Sequence, residues 1–159
     1  MATRECTECT VGLNDPDWDC VHTLIWKGLE IGDVIEIQKN INNHWVIYIG
    51  DGDVVHLKAQ VIPSFWSFAS PSLTNPDLGQ FSIDKLMDIA SCCKCRVNNT
   101  SPRVGMRARD PQAIKVYALG KVIEYEGKSA PYKDWKKYTQ QFVQECRFHS
   151  GDWSLCTSS

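Results

Sequence analysis

Apolar residues come in short β-branched and aromatic runs in the first half of the chain and in helical stripes in the second. Gly32-Asp33 opens Val34-Ile35-Glu36-Ile37, which reads as a strand. Asn40-Ile41-Asn42-Asn43 reads as a turn. Trp45 to Ile49 and Val54 to Leu57 are the next two strands, joined by Gly50-Asp51-Gly52. Such runs around an Asp-Gly dipeptide are a strong hairpin signal. The three runs predict a small antiparallel meander.

Pro63 to Gln80 is punctuated by Pro63, Pro71, Pro76 and Gly79 and reads as a long loop of the kind that forms lids. Ser82 to Ala90 has short helical spacing, Lys94 to Asn98 reads as a strand, and Arg103 to Arg109 as a basic turn. Asp110-Pro111 is a helix start, an acidic cap before proline in the first turn. Ile114, Tyr117, Ala118, Val122 and Tyr125 continue it as a stripe that Gly127 and Pro131 break. Trp135, Tyr138, Phe142, Val143 and Cys146 mark a second helix, ended by Ser150-Gly151. Strands first and helices later favour an α+β fold. Residues 1–27 read as a loose polar arm, 28–150 as one domain and 151–159 as a tail.

A chain of 159 residues can bury a real core, and a formal charge of -2 gives no strong nucleic-acid signal. Neither a secretory pattern nor a membrane-spanning run is visible, so the expected location is cytoplasmic, with at most peripheral membrane contact. Eight cysteines are many for this length. Cys6-x-x-Cys9 and the group Cys92, Cys93, Cys95 raise zinc. Neither group is framed as a finger, and reduced cysteines packed as small hydrophobes are the simpler reading, with no metal or other cofactor expected.

His44 and His56 stand twelve residues apart, one at the start of the first hairpin run and one near the end of the second. A hairpin brings two such imidazoles together, where they can activate a nucleophile and steady its proton.

The blocks Gly32-Asp33-Val34-Ile35-Glu36, His44 to Gly52 and Val54-Val55-His56-Leu57 resemble the LRAT domain, most closely its small phospholipase A and acyltransferase group. Picornaviral H-box 2A proteins are similar in the same block. Arg96-Val97-Asn98-Asn99 and Gly127 to Arg147 extend the resemblance over residues 29–150. It implies an antiparallel sheet with packed helices in a permuted papain-like (NlpC-type) fold. It also implies that His44 is the general base, that His56 orients or polarises it, and that a cysteine at the start of the last helix is the nucleophile. The family reaction moves an acyl group from a phospholipid, through a thioester, to water or an amine.

The family's Asn-Cys-Glu-His-Phe-Val motif falls on Tyr138-Thr139-Gln140-Gln141-Phe142-Val143, so Thr139 stands where the family carries its thiol. An internal threonine hydroxyl is far less ionised than a thiol, and its methyl group crowds attack. Cys146 lies seven residues on, on the same helical face but about 10 Å along the axis. Cys92, Cys93 and Cys95 fall near the family's lid segment and are a second possible source of a displaced thiol. Trp45, Tyr48, Phe65, Trp66, Tyr138 and Gln141 flank these positions as candidate ligand contacts. Phe65-Trp66 with Phe68 suits a lipid-facing loop or a cover over the core; Arg103, Arg107 and Arg109 suit acidic head groups or a solvated turn. His22 and His149 read as surface residues. The chain ends without the apolar anchor of the family pattern, and Cys156 lies outside a prenylation box.

Three readings follow. One is a non-catalytic binding or regulatory member with a lipid or protein partner. Another is an active acyl hydrolase or acyltransferase using Thr139, or a displaced cysteine, with His44 and His56. The third is a viral 2A-type protein acting on host factors or RNA.

Overall fold

The computed structural model describes residues 17–62 and 73–149. Its centre is a six-stranded antiparallel sheet in the order β1-β6-β2-β3-β4-β5. The strands are β1 (Asp19–Cys20), β2 (Val34–Ile37), β3 (His44–Gly50), β4 (Asp53–Ile62), β5 (Leu73–Lys85) and β6 (Lys94–Val97). The helices are α1 (Val21–Lys27), α2 (Leu86–Ala90), α3 (Pro111–Glu124) and α4 (Thr139–Arg147), the last preceded by a 3-10 turn at Trp135–Tyr138. This is the expected α+β architecture.

The pleat sorts the strand residues onto two buried faces. Val34, Trp45, Ile47, Val55, Leu57 and Phe81 pack under α3 and α4, against Ile114, Ala118, Phe142, Val143 and Cys146. Ile35, Ile37, Val46 and Val54 pack under α1 and α2, against Val21, Leu24, Leu86 and Ala90. A sheet covered on both faces accounts for β2, all four residues of which are buried, three of them apolar. The carboxylate of Glu36 in that strand accepts hydrogen bonds from Arg96 Nε (2.8 Å), Asn43 Nδ2 (2.8 Å) and Asn98 Nδ2 (3.3 Å). Burial pushes its pKa up, but these three partners outweigh burial and hold it below the ordinary value.

Four local expectations change. The part of the N-terminal arm from Asp19 to Lys27 is a strand and a helix, with β1 paired to β6 and Val21 and Leu24 buried. The loop expected to run to Gln80 ends earlier, because Leu73–Lys85 is a strand paired along β4. A register shift between Ala59 and Gln60 absorbs the break. Ser82 to Lys85 therefore belongs to β5, and only Leu86–Ala90 is helical. Asp110 precedes α3 with Pro111 in its first turn, yet its side chain makes no capping bond.

Gly79 lets β5 approach the 3-10 turn. A Cβ there would lie 2.5 Å from Trp135 Cβ, and the Gly79 carbonyl accepts from Ala130 N–H at 2.8 Å. Gly79→Ala is expected to cost about 1–3 kcal/mol through overpacking and to shift Trp135. Urea unfolding and tryptophan fluorescence measure both effects, and unchanged values remove this account of the glycine.

Candidate functional site

The hairpin turn is built from residues at positive φ: Gly50 (101°), Asp51 (56°) and Gly52 (80°). Gly52 N–H donates to the Tyr48 hydroxyl at 3.0 Å, and its carbonyl accepts from Leu86 N–H at 2.9 Å. Lys85 closes the turn from β5, with its ammonium 2.7 Å from Asp53 and 3.2 Å from the Asp51 carbonyl. Ile47 pairs with Val55 and Tyr48 with Val54, so His44 and His56 fall on the same face of the sheet. In the next ladder His56 pairs with Ser82 and Val54 with Asp84, which brings Ser82 and Asp84 to that face too.

The four side chains form a continuous chain. His44 Nε2 lies 2.8 Å from His56 Nδ1, and His56 Nε2 lies 2.7 Å from Asp84 Oδ2. Ser82 Oγ donates to the same carboxylate oxygen at 2.9 Å, and Lys58 Nζ stands 3.4 Å from it. The rings meet edge to face with centroids 5.1 Å apart. His56 is only 4 % exposed.

The carboxylate sets the protons. Ionised Asp84 can only accept, so His56 donates to it through Nε2–H. In the form of His56 that carries only this proton, Nδ1 accepts from the Nε2–H of His44, which leaves the lone pair of His44 on Nδ1. That tautomer is the one a general base needs. The hydrogen bond from His56, supported by Ser82 and the charges of His56 and Lys58, holds the Asp84 pKa down at about 2 against the opposing effect of burial. Burial first, then the neighbouring charges of His56 and Lys39, lower the pKa of His44 to about 3, so it is neutral near pH 7.

Thr139 is the first residue of α4 and is buried, on the same stripe as Phe142, Val143 and Cys146. Among the described residues no hydrogen bond joins its hydroxyl to either imidazole. It lines a cavity of about 410 Å³ with Glu36, Asn42, Asn43, Trp45, Lys136 and Gln140. His44 borders a neighbouring cavity of about 350 Å³ with Lys39, Trp135 and Lys136. The two cavities share Ile41, Asn42, Asn43 and Lys136.

Of the residues expected to contact a ligand, Trp45 lines the Thr139 cavity. Tyr48 is spent on the hairpin turn, because the pleat aims it at Gly52. Gln141 points along the helix surface to Glu145 Oε1 at 3.0 Å, and its neighbour Gln140 faces the cavity instead. Tyr138 stacks on Tyr132 with centroids 5.0 Å apart. Phe65, Trp66 and Phe68 lie outside the described residues, as do Cys6, Cys9 and Cys156. Burial raises the Cys146 thiol well above its ordinary pKa, so it is a core residue. Cys93 lies 3.4 Å from Lys39 Nζ, and Cys95 is buried on β6. Arg109 lies over the Tyr117 ring, 4.6 Å from its centroid, and donates to the Glu145 carbonyl at 3.4 Å. Among the described residues no group of three or more His, Cys, Asp or Glu side chains is arranged to hold a metal ion.

The lecithin retinol acyltransferase family model matches residues 27–151, a span that contains the hairpin, the relay and α4. The chain belongs to this family. It is 30% identical over 121 residues to human phospholipase A and acyltransferase 3, covering 74% of this chain and 69% of that protein. To human phospholipase A and acyltransferase 4 it is 29% identical over 120 residues, covering 74% and 68%. The mouse phospholipase A and acyltransferase 3 is 27% identical over 121 residues. Among the described residues no helix is long and apolar enough to cross a membrane.

The Asp84 and Ser82 end of the relay is the feature of this LRAT-family site that sequence reading missed. Its signal was the alternation of Phe81-Ser82-Ile83-Asp84 beside the hairpin, obscured by reading Ser82 onward as helical. Two outcomes test it. The folded chain withholds a proton from His44 between its ordinary 6.5 and about 3, whereas the unfolded chain binds one there. Stability therefore falls as pH falls through that range, and falls again below about 4 as Asp84, depressed from 3.8 to about 2, loses its contribution. Urea midpoints from pH 7 to pH 3 should show this slope, with its upper part flattened in His44→Phe. Asp84→Asn should release the tautomer lock. Nitrogen-15 shifts of His44 then report a mixture of forms where the wild type reports Nε2–H alone.

Proposed function

We propose that this LRAT-family chain binds phospholipid in the cleft beside α4 and has lost thioester catalysis. The observation that carries this reading is Thr139. Its hydroxyl sits at the motif position where the family resemblance expects a thiol, it is buried, and it has no hydrogen bond to either imidazole. A threonine nucleophile needs a base in contact with it, because the free hydroxyl is so weakly acidic. Two of the other candidate thiols are enclosed, Cys146 with a raised pKa and Cys95 on β6, while Cys92 and Cys93 are part-exposed. The phospholipid is suggested by the relatives' names and by a cleft whose wall joins Trp45 to the basic Lys136 and Lys137.

A second reading has one observation in its favour. The His44-His56-Asp84 relay is intact and leaves a lone pair on a neutral imidazole. A water placed at that lone pair could be deprotonated for direct ester hydrolysis without a covalent intermediate, with an anionic ligand beside the ring raising its low basicity.

A fluorescent phospholipid assay separates the two. The expected result is no turnover by the wild type, together with a lipid-dependent rise in melting temperature. Wild-type turnover abolished by Thr139→Ala overturns the non-catalytic reading. Turnover that survives Thr139→Ala, vanishes in His44→Phe and leaves no acyl adduct on any cysteine by mass spectrometry establishes the water route.

A further inference from the structure

The mouth of the cleft combines positive charge with an unburied apolar side chain. Lys136 borders three neighbouring cavities: that of Thr139, that of His44, and a third of about 340 Å³ with Asp77, Lys133 and Asp134. Lys137 edges the first of these and Lys39 the second. All four lysines are exposed. The facing acids are few. Lys137 pairs with Asp134 at 3.3 Å, Asp77 edges the third cavity, and buried Glu36 is matched by Arg96. Among the described residues Lys136 has no carboxylate partner. The rim is thus locally basic in a chain whose formal charge is -2. Ile41, at the tip of the turn between β2 and β3, lines two of the cavities and is 93% exposed.

We infer that this rim docks the chain on an anionic lipid bilayer, with Ile41 entering the interface and Lys39, Lys133, Lys136 and Lys137 meeting lipid phosphates. A single exposed isoleucine needs no explanation on its own. One set beside Lys39, Lys136 and Lys137, with Lys133 on the adjoining cavity, matches the surface that a bilayer reads: an apolar wedge at acyl-chain depth, and ammonium groups that stay at headgroup level on flexible stems. The orientation places the openings beside His44 and Thr139 against the membrane, so a lipid can enter the cleft without crossing water. The inference rests on the lipid-binding reading for its kind of partner and names the surface that reading lacks.

Vesicle co-sedimentation tests it with the full chain. Binding to phosphatidylcholine vesicles doped with phosphatidylserine is expected, weakening as salt screens the lysines. Lys136→Glu combined with Lys137→Glu should weaken it by at least about tenfold, and Ile41→Asp by a similar factor. Val104→Asp is the control, since Val104 is fully exposed on the β6–α3 connection. It should bind as wild type, and melting temperatures should show that all variants fold. Wild-type binding by both rim variants, or an equal loss in Val104→Asp, overturns the inference. Monomeric short-chain phosphatidylcholine reads the cleft alone. Failure to bind it while vesicle docking persists removes the cleft reading and leaves the surface standing, and the converse removes the surface.

Discussion

The site depends on the register of β4 between its two neighbours. Pairing of Val54 with Tyr48 on one side and with Asp84 on the other fixes which face every side chain takes. A slip of one residue carries His56 to the opposite face and dissolves the relay. What prevents the slip is burial. Val55, Leu57 and Phe81 fill the core under α3 and α4, with Phe81 4.7 Å from Phe142 and 5.3 Å from Tyr125. Exposing that set costs far more than the two imidazole hydrogen bonds return. The polar chain is thus held in place by apolar packing on the other side of the same strands.

That division explains what the sequence disclosed. The hairpin was legible because its determinants are local: β-branched runs, Asp51-Gly52, and histidines at matching positions. β2 and the α3–α4 pair were legible for the same reason, through periodicity and Asp110-Pro111. Asp84 was not, because its role rests on a contact with His56 across 28 positions, set by pairing beyond a segment that reads as loop. Pro76 and Gly79 look like punctuation, yet one falls inside a strand and the other makes room for Trp135. α1 was hidden because it follows a polar stretch and its seven residues are too few to show a helical stripe, only Val21 and Leu24 of them being buried. Resemblance to the LRAT family identified both histidines and Thr139, but nothing in a motif comparison gives the distance between them.

Burial acts on the ionisable groups in opposite directions. It keeps His44 neutral, which makes the ring a usable acceptor near pH 7. The same effect raises Cys146 and denies it thiolate character. The relay also has a structural reason to persist. Asp84 is ionised and His56 is buried, so removing either partner leaves the other unsatisfied. Retention of the histidines therefore does not by itself argue for turnover.

The relay and Thr139 belong to different sides of β3. His44 shares a face with Val46, while α4 packs over Trp45 and Ile47. The cavities beside them share the turn that precedes the strand and Lys136 of the 3-10 turn, and in the first of these Asn43 is the clamp. Its side chain donates to Glu36 Oε2 at 2.8 Å and accepts from Lys39 N–H at 3.3 Å, and the residue borders both cavities. The clamp ties the aim of His44 to a carboxylate that Arg96 and Asn98 hold from β6 and its following turn. This short polar bridge is one link between His44 and the Thr139 cavity, and Lys136, which borders both cavities, is another. A ligand that draws Lys136 or Ile41 inward acts on the same turn from its open side.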